Sequence, residues 1–298
     1  MSDNRNEHLF DEVYEFLGYP KADLISGVPQ IKKDDSIEAR FLKTIDRYLM
    51  DSREDRDSVS IKPSSYYKCM RKTWYNLLRF PKKVKKYARS IRILECGTAL
   101  HEWIQTKVLM PMCLNGTGIE RLLYPKDLPV FGAEGVKFIK EHSAPDMEIK
   151  IRDYRFTSKY PVSAMVDGAF VFEGLPMLFE FKTIKSSDFK SLRKPLSDHI
   201  KQGALYALCY KITNVMFVYY NKDSQEMKAY LIKYGDDQIT WALTRIQILE
   251  EYLLDLKLPP AEPDNFCKYC EYKHLCESNV SGTKFGKDSE GFAVVEKV

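Results

Sequence analysis

The chain has 298 residues, 44% hydrophobic and 30% charged, with a formal net charge of +4, enough to bury one substantial core in a protein of ordinary soluble composition. No stretch reaches the roughly 18 consecutive apolar residues of a membrane helix, and the opening MSDNRNEHLF lacks the basic-then-apolar pattern of a signal peptide. A membrane partner is therefore not expected and a cytoplasmic location is, where seven cysteines call for packing, catalysis or metal binding rather than disulfides.

Residues 1–60 read as a helical N-terminal arm, polar in composition, with short helices expected around 7–17 and 36–50. The run DSREDRDS from Asp51 is a charged linker that places a boundary just before Ile61. Pro63 and Ser64 offer a helix start, Trp74, Leu77 and Leu78 recur at helical spacing, and Cys69 falls in the first turns of that helix. A second helix is expected over about 89–109, carrying LHEWIQ, with Leu100, Trp103, Ile104 and Val108 as its apolar side.

The middle of the chain changes period. Segments 147–156, 161–172 and 175–184 are rich in branched and aromatic residues, and Glu173 and Gly174 between the latter two are a hairpin signal, so these segments read as an antiparallel meander. A helix near 197–210, strands near 215–220 and 227–233, and a long helix near 236–256 follow. The fold class expected is α/β, a central mixed sheet flanked by helices, with a core over 61–278 and a loosely held tail over 279–298.

Local charge is more informative than net charge. Over residues 68–92 there are ten Lys or Arg and no Asp or Glu, with Trp74, Tyr75 and Tyr87 among them. Arg71, Lys72, Lys82, Lys83, Lys85 and Lys86 are candidates for phosphate contacts and Trp74 for base stacking, a combination suited to single-stranded nucleic acid. A solvated basic helix face fits the same residues.

Strand alternation puts Glu180 and Lys182 of FEFKT on one face and Phe179 and Phe181 on the other. Asp167 lies on the neighbouring strand of the expected hairpin, so two carboxylates can converge on a divalent ion such as Mg²⁺ or Mn²⁺. Such an ion polarises a phosphate and lowers the pKa of water, with Lys182 available to orient that water. The competing reading is a surface Glu and Lys on a half-exposed strand. Gln202 and Tyr206, four apart, share one helix face. His101 is either a third metal ligand or a histidine satisfied by a nearby carbonyl.

Cys267, Cys270 and Cys276 form Cys-x-x-Cys, five residues, Cys. With Cys69 as a fourth thiolate they suit Zn²⁺ or an iron–sulfur cluster, and His274 is a substitute ligand in the zinc reading. Cys96, Cys113 and Cys209 have no ligand spacing and read as core or neutral residues.

His101, the VDG of Asp167, Glu180-Phe-Lys182, and Gln202 with Tyr206, in that order, resemble the motifs of the RecB-type branch of the PD-(D/E)xK, or restriction-endonuclease-like, nucleases. The resemblance spans roughly residues 69–276 and departs at Ala164, where many members have glycine. It implies metal binding by His101, Asp167 and Glu180, assistance to the hydrolytic water by Lys182, and contact with DNA or orientation of the lysine by Gln202 and Tyr206. The lone upstream cysteine and the C-terminal triplet are similar to those of the CRISPR adaptation exonucleases and AddB-type subunits, which implies a [4Fe-4S] cluster. The activity implied is an exonuclease on single-stranded DNA ends, 5′ to 3′ favoured, serving recombination, repair or replication beside a helicase or recombination protein. The alternative is a non-catalytic iron–sulfur DNA-binding subunit of such a complex.

Overall fold

The computed structural model describes residues 32, 35–51, 59–80, 82–83, 87–140, 147–263, 267–277, 284–287 and 293–296. The helix expected near 7–17 lies outside them. The helices among them are α1 (Ile37–Asp51), α2 (Met70–Leu77), α3 (Ala88–Trp103), α4 (Met110–Leu114), α5 (Ser186–Ser191), α6 (Ser197–Tyr210), α7 (Asp236–Leu254) and α8 (Lys273–Glu277), with a π-helical turn at Ile104–Leu109 joining α3 to α4. The strands are β1 (Arg121–Leu122), β2 (Val136–Lys140), β3 (Ile149–Asp153), β4 (Val162–Val166), β5 (Gly168–Phe172), β6 (Leu175–Ile184), β7 (Asn214–Asn221), β8 (Met227–Lys233), β9 (Lys284–Lys287) and β10 (Ala293–Glu296). No helix among the described residues is long and apolar enough to cross a membrane.

Two compact units result, one of Ser60–Met70 and Gly97–Glu251, the other of Met1–Val59, Arg71–Cys96 and Tyr252–Val298. The first holds a five-stranded mixed sheet in the order β1-β5-β6-β7-β8 and a three-stranded sheet in the order β2-β3-β4. In the larger sheet β6 and β7 run parallel and the other neighbours antiparallel. A parallel pair needs a crossover, which α5 and α6 supply.

Alternation along β6 sorts its side chains. Met177, Phe179 and Phe181 enter a core with Ile104, Leu109, Met110, Ile119 and Leu122, so the π-helical turn and α4 cover that face. On the opposite face Glu180 stands in register with Phe217 of β7 and Lys182 with Tyr219, and this face is covered by α6. The helix lies close because Gly203 lacks a side chain: a Cβ there would come 2.8 Å from the Phe217 ring and run into the Tyr234 hydroxyl. Tyr210 at the end of α6 donates to the carbonyls of Ile149 (2.7 Å) and Ala164 (3.0 Å), tying the helix to the smaller sheet. Arg155 adds a second tie, pairing through two nitrogens with the fully buried Asp153 (2.8 and 2.6 Å) and donating to the Cys209 carbonyl (2.7 Å).

In the second unit Met50 of α1 packs with Ala88 and Ile91 of α3, beside an Arg92–Asp46 ion pair. Trp74 of α2 is fully buried, with Tyr75, Phe80 and Tyr272 in an aromatic cluster, and its Nε1 donates to the Tyr252 carbonyl at 3.1 Å.

The mixed sheet, the hairpin at Glu173 (φ 50°) and Gly174 (φ 74°), and the helices at Ser197–Tyr210 and Asp236–Leu254 agree with the sequence reading. Four features differ. The expected meander is divided between two sheets, because the stretch 161–172 breaks at Asp167 into β4 and β5. The helix expected from Pro63 starts at Met70, so Cys69 precedes it. The helix over 89–109 leaves α-geometry at Ile104. Within the expected tail, β9 and β10 pair antiparallel.

Candidate active site

The break at Asp167 builds one half of the site. β5 and β6 pair from Phe172↔Leu175 to Gly168↔Phe179, and there they part, because the preceding β4 pairs with β3 instead. The Phe181 N–H, left without a strand partner on that side, donates to Asp167 Oδ2 at 2.7 Å. Asp167 Oδ1 faces His101 Nδ1 at 3.2 Å, and the His101 ring stands edge-on to Phe181 with centroids 5.2 Å apart. The main-chain carbonyl of Asp167 accepts a hydrogen bond from Gln105 Nε2 at 3.0 Å.

The other half lies one residue along, between β6 and α6. Glu180 Oε1 accepts from Lys182 Nζ at 2.5 Å and from Gln202 Nε2 at 2.8 Å. Gln202 Oε1 accepts from Lys182 Nζ at 3.1 Å, and the second hydrogen on Gln202 Nε2 reaches the Tyr206 hydroxyl at 2.8 Å. The i, i+4 spacing of Gln202 and Tyr206 on α6 makes this chain possible. Glu180 Oε2 is buried and has no hydrogen-bond partner among the described residues.

Burial dominates the electrostatics. It pushes the Glu180 carboxyl up to about 7; the Lys182 ammonium opposes that rise and the Asp167 charge adds to it. For His101 burial disfavours the proton, but the hydrogen bond and charge of Asp167, with the charge of Glu180, outweigh it and raise the pKa. The Tyr206 phenol is raised well above its ordinary range by burial and the two nearby carboxylates, so it remains a neutral hydroxyl.

The structure thus brings together His101 with Asp167, and Glu180 with Lys182, Gln202 and Tyr206; Asp167 is bound to the residue that follows Glu180. The reading of Glu180 as a half-exposed surface residue fails, since it is only 4% exposed. Among the described residues no three His, Cys, Asp or Glu side chains stand in a ready-made metal cage. At the carboxylates, Lys182 Nζ lies against Glu180 Oε1, and the Phe181 N–H and the His101 imidazole lie against the two oxygens of Asp167.

Trp74 is not a stacking platform: it is buried, because a large ring gains more from packing than from exposure. Arg71 donates to the Pro259 carbonyl (2.8 Å) and to Cys276 Sγ (3.4 Å), and Lys72 pairs with Glu271 at 3.1 Å, so both are engaged within their own unit. Lys83 is exposed and Lys82 partly so, while Lys85 and Lys86 lie outside the described residues. Cys267 and Cys270 are joined by a main-chain hydrogen bond of 3.2 Å, and Cys276 lies in the short helix that follows.

Pattern reading passes over two residues near the site. Gln105 is 4% exposed although it sits beside an apolar stripe. His199, one turn before Gln202, hydrogen-bonds through Nδ1 to the Tyr219 hydroxyl at 2.7 Å, and its pKa falls to about 3 through burial and the charges of Lys182 and Lys68. The His-x-x-Gln spacing on one helix face was the available signal for His199; for Gln105 there was none.

No family model and no curated protein matches the chain. Among solved structures it is similar to SSO0001, with 17% identity and a TM-score of 0.41 over 82% of this chain and 97% of that one. It is also similar to an alkaline exonuclease, LHK-Exo, from Laribacter hongkongensis, with 15% identity and a TM-score of 0.33 over 66% of this chain and 88% of that one. The complex of LHK-Exo with dAMP gives 15% identity and a TM-score of 0.34, covering 66% and 89%. These likenesses are remote, and the chemistry rests on the side chains described above.

Because folding raises the Glu180 pKa above its ordinary 4.5, the folded state holds a proton that the unfolded chain releases, and stability is lost as pH rises from about 4.5 through about 7. Glu180→Gln, unfolded by urea with a chelator present, is therefore expected to be more stable than the native chain at pH 8, by on the order of 2 kcal/mol. The gap should close near pH 4.5. A native chain more stable than the variant at pH 8 would contradict the assigned burial penalty.

Proposed function

We propose that this chain is a divalent-cation-dependent nuclease that hydrolyses DNA phosphodiester bonds, acting as an exonuclease on single-stranded ends with 5′ to 3′ digestion favoured by the RecB-type resemblance. The observation that carries the reading is the buried Glu180 carboxylate, with one oxygen free of partners, beside Asp167 and a lysine. A buried anion with an open oxygen is costly in a purely structural role and suits a cation ligand.

Asp167, Glu180 and His101 would hold Mg²⁺ or Mn²⁺, which when bound supplies a Lewis acid for the scissile phosphate and lowers the pKa of water. Lys182 is held at a fixed point by Glu180 and Gln202, so its ammonium can orient the attacking water and offset the charge that develops on the phosphate. Gln202 and Tyr206 are each 4% exposed, which favours orienting Lys182 over touching DNA. Tyr206 acts through Gln202, keeping the amide turned toward Glu180 and Lys182.

The cysteines are proposed to hold a [4Fe-4S] cluster, with Zn²⁺ as the alternative. Three thiols lie in one short segment, and the Arg71 guanidinium donates to Cys276 Sγ. The part of Cys69 rests on the sequence pattern alone. Anaerobically purified full chain should be brown, absorbing broadly near ~400 nm. Colourless protein carrying zinc would overturn the cluster and leave the nuclease reading standing.

Digestion of end-labelled single- and double-stranded DNA with Mg²⁺ or Mn²⁺ tests the main reading. Native chain should degrade single-stranded ends, the label position reporting direction, and Glu180→Ala or Lys182→Ala should lose at least about a hundredfold in rate. DNA binding without degradation in either metal would defeat the catalytic reading and leave a DNA-binding subunit.

A further inference from the structure

Gln105 is buried in the first turn of the π-helical segment, at 4% exposure, and its side chain donates 3.0 Å to the main-chain carbonyl of Asp167. A buried amide needs such a partner, and a carbonyl at a strand break needs such a donor, so the bond explains the stability of both groups. It does more, because of which residue is gripped. Asp167 is held at three points: its carbonyl by Gln105, Oδ2 by the Phe181 N–H, and Oδ1 facing His101. Two of the three come from one continuous helical stretch, His101 in the last turn of α3 and Gln105 four residues later, where the winding changes from α to π. Single π turns gather at functional sites because the altered winding re-aims side chains. The helix thus grips the main chain and the carboxylate of the same residue, and the Asp167 side chain has little freedom to rotate.

We propose that Gln105 is a positioning residue of the carboxylate site: by fixing the peptide of Asp167 it sets the direction of that carboxylate, and so the affinity of the site for a divalent cation. The proposal rests on the cation-dependent reading above and assigns Gln105 no contact with DNA or with the ion.

The test compares full-length native chain with Gln105→Met, which keeps the length of the side chain without the donor, and with Gln105→Asn, which keeps an amide that is too short to reach. Mn²⁺ binding is measured by calorimetry, single-stranded DNA cleavage gives kcat and KM, and thermal melting reports folding. Both variants should bind Mn²⁺ at least about tenfold more weakly, as loss of groups that orient ligands does in metal sites. The kcat should fall at low Mn²⁺ and recover as Mn²⁺ is raised, with KM for DNA unchanged. Folded variants with native Mn²⁺ affinity but a lower melting temperature would overturn the proposal, leaving Gln105 as a structural hydrogen-bond donor. If Gln105→Met does not fold, Gln105→Asn decides by the same two outcomes. A native chain that binds no Mn²⁺ would instead overturn the cation reading itself and this inference with it, a result distinguishable because it appears before any substitution is made.

Discussion

Glu180 sits in the middle of a sheet strand with 4% of its surface exposed, and most of the surrounding architecture answers to the cost of keeping a carboxylate there. An isolated buried anion is far too unfavourable to persist, so the strand brings a lysine to the same face two residues later and α6 brings an amide over both. Oε1 is fully served by these two groups. Oε2 is not, and burial pushes the carboxyl up to about 7.

The proposed cation site also needs a companion carboxylate, and the dividing sheet places Asp167 there. Had β4 continued along β6, Phe181 would have paired with a strand and Asp167 would have been one more ladder residue. Because β4 turns to β3, the Phe181 N–H and the Asp167 carbonyl are both left over, and they take the Asp167 carboxylate and the Gln105 amide. The residues that satisfy the break are therefore the same ones that aim the site. The close approach of α6, which depends on the bare Cα of Gly203, completes the arrangement from the opposite face.

Much of this was legible from local periodicity. The alternation of LPMLFEFKTI separates Phe179 and Phe181 from Glu180 and Lys182, and the four-residue spacing of Gln202 and Tyr206 aligns them on α6. The division of the sheet was not legible: the pattern of VSAMVDGAFVF runs on through Asp167, and the groups that satisfy the break, on Gln105 and Phe181, lie 62 and 14 residues away. Nor was the fate of Trp74, whose partner Tyr252 lies 178 residues later. An aromatic residue in a basic run looks the same in sequence whether it faces a nucleic acid or another part of its own chain, and here burial wins.

If Asp167 and Glu180 form the proposed cation site, the buried Glu180 carboxyl must lose its proton when the ion enters. Calorimetric titration of Mn²⁺ into the full chain near pH 6.5, in buffers of different ionisation heat, tests it most directly by counting protons released. Saturable binding is expected, with release of a fraction of a proton or more, and loss of both binding and release in Asp167→Asn. Binding unaffected by that substitution, or no saturable binding at all, would contradict it.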